Sequence, residues 1–153
     1  MILAAILPLG ALIPIAVLVQ SDRHITLSVL FAPVGAGIRW IVCTRNPVWI
    51  PTFPLGTFIV NMTGTVLISC LNAASMRGNP ASLACDFILA LQTGFCGCLT
   101  TVSSFQHELY TLKLKHSYIY GTATIIVAQL LLLVINGSVS WTATAPPVAA
   151  CQS

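Results

Sequence analysis

The chain has 153 residues, 57% of them hydrophobic and only 6% charged. Soluble domains carry roughly 25% charged residues, so this is an integral membrane protein. Three carboxylates (Asp22, Asp86 and Glu108) leave little for acid–base catalysis or a carboxylate metal centre, and a scattered net charge of +3 excludes nucleic-acid binding. The six cysteines (Cys43, Cys70, Cys85, Cys96, Cys98 and Cys151) lie mostly in apolar stretches, where cysteine acts as a small hydrophobe, and no disulfide framework is expected. Cys96-Gly97-Cys98 is only superficially like a metal motif, because no histidine or second cysteine pair stands at ligand spacing.

A membrane-spanning helix needs about 20 mostly apolar residues. Residues 1–20 qualify, with kinks expected at Pro8 and Pro14. No basic residues precede this apolar run, so it reads as a retained span rather than a signal peptide. Ser21-Asp22-Arg23-His24 is a polar turn. The second span, 25–43, carries Gly35, Gly37 and then Arg39. Arginine at mid-helix costs roughly 2.5–3.5 kcal/mol on insertion scales, and less near an end. Arg39 is therefore either an interfacial anchor beside Trp40 or a vestibule charge that attracts anions.

Residues 44–53 form a loop with Arg45, Pro47 and Pro51, and the third span covers about 54–74. Thr57 and Asn61 stand at i and i+4 there, on one helix face. A carboxamide in hydrocarbon needs a partner: either Asn61 clasps a neighbouring helix, or its NH₂ donates to an anion. Gly64 lets a neighbouring backbone approach. Residues 75–82 are the clearest loop.

The fourth span begins near Leu83 and meets Gly94-Phe95-Cys96-Gly97-Cys98-Leu99-Thr100-Thr101-Val102-Ser103-Ser104-Phe105, closed by Glu108. Two glycines and four hydroxyls compete with helical hydrogen bonding, so the helix is expected to break around 94–104. Non-helical backbone at membrane depth is tolerated where protein buries it or where it lines a wet cavity. The plainer reading is a small-residue packing face. The span then resumes to about Leu114, with His107, Glu108, Lys113, Lys115 and His116 marking its return to water.

The fifth span covers about 118–136; Tyr120 and Thr124 stand at i and i+4, and with Gln129 they continue a polar track, unless Tyr120 is an interfacial belt residue. Residues 137–153 are rich in Ser, Thr, Ala and Pro and read as a disordered tail. Of two glycosylation sequons, Asn61-Met62-Thr63 lies in a span and Asn136-Gly137-Ser138 lies against the membrane, so neither is expected to be used. Loop lysines and arginines place the N-terminus in the cytoplasm and the tail outside.

Three motifs, in this order and spacing over about 28–136, resemble the fluoride-exporting channels of the Fluc or CrcB family and their fused fungal form, FEX. They are Gly35-Ala36-Gly37-Ile38-Arg39-Trp40, the stretch from Pro54-Leu55-Gly56-Thr57 to Asn61 and Gly64, and Gly94 through Glu108. The resemblance implies an all-α membrane protein: a four-helix unit over 25–136 with a broken third helix. One extra linker-like transmembrane helix and turn (1–24) precedes it and a tail (137–153) follows. It further implies a multi-pass plasma-membrane protein with no enzyme chemistry, packed in lipid against an inverted second copy or a fused first-half domain. By that likeness Gly97 and Thr100 present backbone carbonyls to a structural sodium ion. Thr57, Asn61, Ser103, Ser104, Phe105, Tyr120 and Thr124 line the fluoride path, with Arg39 at its vestibule. The family's first Phe of the Phe-Ser-Thr-Phe box is Val102 here, which has no ring quadrupole. Two functions follow: fluoride conduction, or a non-conducting half-domain that supports a partner's pore. A generic exporter would lack the intramembrane carboxylate needed for proton coupling.

Overall fold

A computed structural model describes residues 23–45, 52–76 and 83–142. Of the span and turn expected over 1–24, Arg23 and His24 are helical rather than a turn; residues 1–22, the end of the tail at 143–153 and two loop segments lie outside the described residues. Those residues form helices α1 (Arg23–Cys43), α2 (Leu55–Ser75), α3 (Leu83–Ala90), α4 (Gly97–Leu99), α5 (Val102–Thr111) and α6 (Leu114–Thr142), with a wider π-helical turn, Leu91–Cys96, joining α3 to α4. Four segments are long and apolar enough to cross a membrane: Arg23–Cys43, Leu55–Ser75, Leu83–Thr111 and Leu114–Trp141. This is an all-α, multi-pass membrane protein.

The distribution of side chains is inverted relative to a soluble bundle. Small and polar groups fill the interior, with Thr57, Ser69, Ser75, Ala90, Cys96 and Tyr120 at 0–1% exposure. Large apolar residues such as Val34, Ile126, Leu133 and Val134 point outward. Without a hydrophobic drive between helices, close backbone approach holds such a unit together. The interior hydroxyls cause no polar debt, because they bond back one turn along their own helix. Thr65 donates to the Asn61 carbonyl at 2.8 Å, Ser69 to Thr65 at 2.8 Å and Thr124 to Tyr120 at 2.7 Å.

Two helix pairings dominate. Helix α1 lies along the third span, from α3 through the π-turn to α4, and α2 lies along α6. Gly35 of α1 abuts the Phe95 carbonyl, Gly94 abuts the Ser28 carbonyl, and Gly64 of α2 abuts the Thr100 methyl; a Cβ at any of the three would overlap these atoms. The hydroxyls of Ser28 and Thr93 lie 2.6 Å apart beside that crossing.

The third span is broken at the expected place. Thr100 (φ −73°, ψ 153°) and Thr101 (φ −150°, ψ 126°) are extended, and Thr101 then caps α5 by accepting from the Ser104 amide. Irregularity starts earlier than the glycine pattern indicates, at Leu91, where the Thr93 hydroxyl adds a second donor to the Leu89 carbonyl at 2.7 Å.

Three expectations change. The last helix does not stop at 136 but runs to Thr142, because Ser138 and Ser140 donate to the Ile135 and Gly137 carbonyls at 2.9 and 3.0 Å and so cost the helix nothing. It also starts at Leu114 rather than 118. Cys85 is disulfide-bonded, whereas Cys43, Cys70, Cys96 and Cys98 are free thiols.

Candidate functional site

Helices α2, α5 and α6 converge on one carboxylate. Thr57 of α2 donates its hydroxyl to Glu108 Oε1 at 2.5 Å, and Tyr120 of α6 donates to Glu108 Oε2 at 2.8 Å. The Cys43 thiol at the end of α1 lies 3.5 Å from the Thr57 hydroxyl. Tyr120 is held by rings on two sides: Phe53 meets it edge-on at 5.0 Å and 83°, and Phe105 lies tilted at 5.3 Å. With one hydrogen bond to each carboxylate oxygen, Glu108 of α5 braces α2 and α6 against its own helix.

Glu108 corrects the sequence reading, which set it among the residues returning to water. It is turned inward, while His107 beside it is exposed. The spacing carried a signal, since Glu108 stands one turn after Ser104 on the same face, but neighbouring charges masked it.

The second centre is the break itself. Asn61 Oδ1 accepts from the Thr101 amide at 2.8 Å, and Asn61 Nδ2 donates to the Thr101 carbonyl at 3.3 Å. The carboxamide thus pairs with both backbone groups of one residue, Thr101, and keeps one N–H uncommitted to that pair. Asn61, Thr101, Val102, Phe105 and Thr124 line a cavity of about 300 Å³. A second cavity, of about 320 Å³, is lined by Arg39, Trp40, Cys43, Thr44 and Ser104.

The predicted site residues therefore fall into three groups. Asn61, Phe105 and Thr124 share the first cavity, and Arg39 and Ser104 share the second. Thr57 and Tyr120 meet at Glu108 instead. Ser103 is exposed, 3.2 Å from the Thr101 hydroxyl. Thr124 is buried and gives its proton to the Tyr120 carbonyl, leaving its oxygen only as an acceptor toward anything in the cavity. Gln129, expected on the same track, is exposed. Val102 is 78% exposed at the rim of the first cavity.

Gly97 and Thr100 fit a cation held by carbonyl oxygens. In an unbroken helix the Thr101 and Ser104 amides would close onto these two carbonyls; here they are taken by Asn61 Oδ1 and by the Thr101 hydroxyl. Among the described residues no group of three or more His, Cys, Asp or Glu is arranged to hold a metal ion. A cation at this point would rest on hard carbonyl donors.

Residues 26–138 match the protein family described as CrcB-like protein, Camphor Resistance (CrcB). The chain is 38% identical over 120 residues to fluoride export protein 1 of Neurospora crassa, covering 76% of this chain and 22% of that protein. It is 37% identical over 150 residues to fluoride export protein 1 of Candida albicans, covering 92% of this chain and 38% of that protein. It is also 40% identical over 100 residues to the fluoride-specific ion channel FluC of Methanococcus maripaludis, covering 65% of this chain and 78% of that one. The chain spans well under half the length of these fungal relatives.

Proposed function

The chain belongs to the CrcB family, and on that premise we propose that it conducts fluoride passively out of the cytoplasm, across the plasma membrane, as one unit of a two-unit pore. No reaction is involved; the gradient and the membrane potential drive the ion. Fluoride holds its water strongly, so a pore must replace the shell with fixed donors yet bind weakly enough to release the ion. The residues proposed for this are the remaining N–H of Asn61, the hydroxyls of Ser103 and Ser104, and the edge of Phe105. Arg39, beside Ser104 in the outer cavity, concentrates the anion at the entrance. Thr57, Tyr120 and Thr124 flank the path; their hydroxyl protons go to Glu108 and to the Tyr120 carbonyl, so they shape it without donating to the ion.

The carbonyls of Gly97 and Thr100 would hold a sodium ion, which supplies a fixed positive charge where the unit meets its counterpart. That counterpart is an inverted second copy or the first half of a fused chain. Gly37 and Gly97 support the assembly: among the described residues, a Cβ at Gly37 meets nothing within 4 Å and one at Gly97 meets only the Gln92 carbonyl at 4.0 Å. Neither glycine has a steric purpose inside this unit, which fits a face that receives another chain.

The observation that carries the proposal is the helix break at Thr100–Thr101, pinned by the family motif's own asparagine. A second reading, a non-conducting half that supports a partner's pore, is favoured by Val102, whose exposed isopropyl group stands at the cavity rim where the family motif has a ring. Fluoride-electrode efflux from liposomes, with the chain alone and with a first-half partner, separates the two. Efflux only with the partner, unaffected by Asn61→Asp, would establish the supporting role.

A further inference from the structure

We propose that Asn61 is a positioning residue for the cation site as well as a donor on the anion path: it holds the third helix open by capturing the Thr101 amide. This deepens the reading of Gly97 and Thr100 given above and rests on it. The geometry is that of a side-chain amide replacing a turn of backbone. Oδ1 takes the Thr101 amide at 2.8 Å, the donor that would otherwise close on the Gly97 carbonyl. Nδ2 holds the Thr101 carbonyl, in the next peptide, at 3.3 Å and so fixes Thr101 in its extended conformation.

The acceptor edge diverts the amide, and the donor edge, on the Thr101 carbonyl, holds the same residue against the side chain. The support beneath the pair is rigid. Gly64, one turn further along α2, receives the Thr100 methyl against its backbone. The Thr100 hydroxyl and amide both return to the Cys96 carbonyl, at 3.0 and 2.9 Å. Helix α4 therefore ends cleanly at Leu99, and the next donor along, the Thr101 amide, is the one diverted. A carbonyl at membrane depth that lacks its helical donor is costly unless something else meets it. The asparagine thus fixes where an oxygen is presented, and a cation bound there offsets the missing helical bond.

The test reads the Gly97 carbonyl directly. The sequence contains a single Gly-Cys pair, Gly97-Cys98, so ¹³C-carbonyl glycine with ¹⁵N-cysteine isolates that one signal by solid-state NMR of the full chain in liposomes. In sodium-free buffer, N61L should move the signal downfield as the Thr101 amide falls back onto Gly97. N61D, which retains an acceptor for that amide, should leave it at the wild-type position. Sodium added in place of N-methyl-glucamine should shift the wild-type and N61D signals and leave N61L unmoved. An N61L signal that coincides with wild type overturns the positioning role. A wild-type signal that ignores sodium while N61L is still displaced overturns the cation reading and keeps the clamp. Should N61L fail to assemble, a wild-type cross-peak between the Thr101 nitrogen and the Asn61 carboxamide carbon supports the pairing, and its absence overturns it.

Discussion

Tyr120 and Glu108, on successive helices, are joined by a 2.8 Å hydrogen bond from the phenol to Oε2, with the Tyr120 ring fully buried. The other carboxylate oxygen is taken by Thr57, so a single ionisable group fastens α2, α5 and α6. Tyr120→Phe should lower stability by about 1–3 kcal/mol, the range for a buried acceptor left short of a partner. Glu108→Gln combined with Tyr120→Phe should be less than additive, because the two changes remove one shared interaction. Thermal unfolding in detergent, followed by fluorescence-detected size exclusion, reads both; strict additivity would show that the pair is not coupled.

The glycines divide into two kinds. Gly35→Ala and Gly94→Ala each drive a methyl into a neighbouring backbone carbonyl, of Phe95 and Ser28 respectively. Overpacking against backbone costs about 1–3 kcal/mol or more, and both variants should lose the monodisperse peak on size exclusion. Gly37→Ala and Gly97→Ala, which meet no closer contact among the described residues than the Gln92 carbonyl at 4.0 Å from Gly97, should keep the unit folded and lose two-unit assembly, measured by cross-linking in membranes. Equal behaviour of all four would refute the division.

How much of this was legible beforehand follows the chemistry of each residue. Glycine and hydroxyl density located a break within 94–104, because those residues weaken helical bonding wherever they stand, and the structure narrows it to Thr100–Thr101. The pairing of Asn61 with a neighbouring segment was legible as a clasp, since a carboxamide in hydrocarbon must find a partner. The role of Glu108 was not. Its partners lie 51 and 12 residues away, and its flanking charges gave it the look of a helix end in water. The serines past Asn136 suggested a disordered tail, yet their hydroxyls bond back to their own helix, which composition does not express.

Arg39 shares the outer cavity with Ser104, Cys43 and Thr44. If it gathers anions there, Arg39→Gln should slow fluoride efflux at low ionic strength. The deficit should shrink as salt rises toward ~1 M, where the screening length falls to about 3 Å. A deficit independent of salt would assign Arg39 to anchoring instead.

Val102 stands at the rim of the cavity formed by Asn61, Phe105 and Thr124, with 78% of its surface exposed. Val102→Phe adds a ring edge facing that space. A ring edge carries partial positive charge that can meet an anion, so fluoride efflux should rise. An unchanged rate would show that no ring is needed at this position.

The central claim is that the opening at Thr100–Thr101, held by Asn61, belongs to a fluoride pore. Its most direct test is electrode-recorded fluoride efflux from liposomes carrying the purified chain, alone and with a first-half partner, beside the same protein bearing Asn61→Asp. The account predicts rapid, fluoride-selective efflux that Asn61→Asp abolishes, since it places a negative charge where an anion must pass. Efflux at the protein-free rate in every arrangement, or wild-type efflux from the Asp variant, would contradict it.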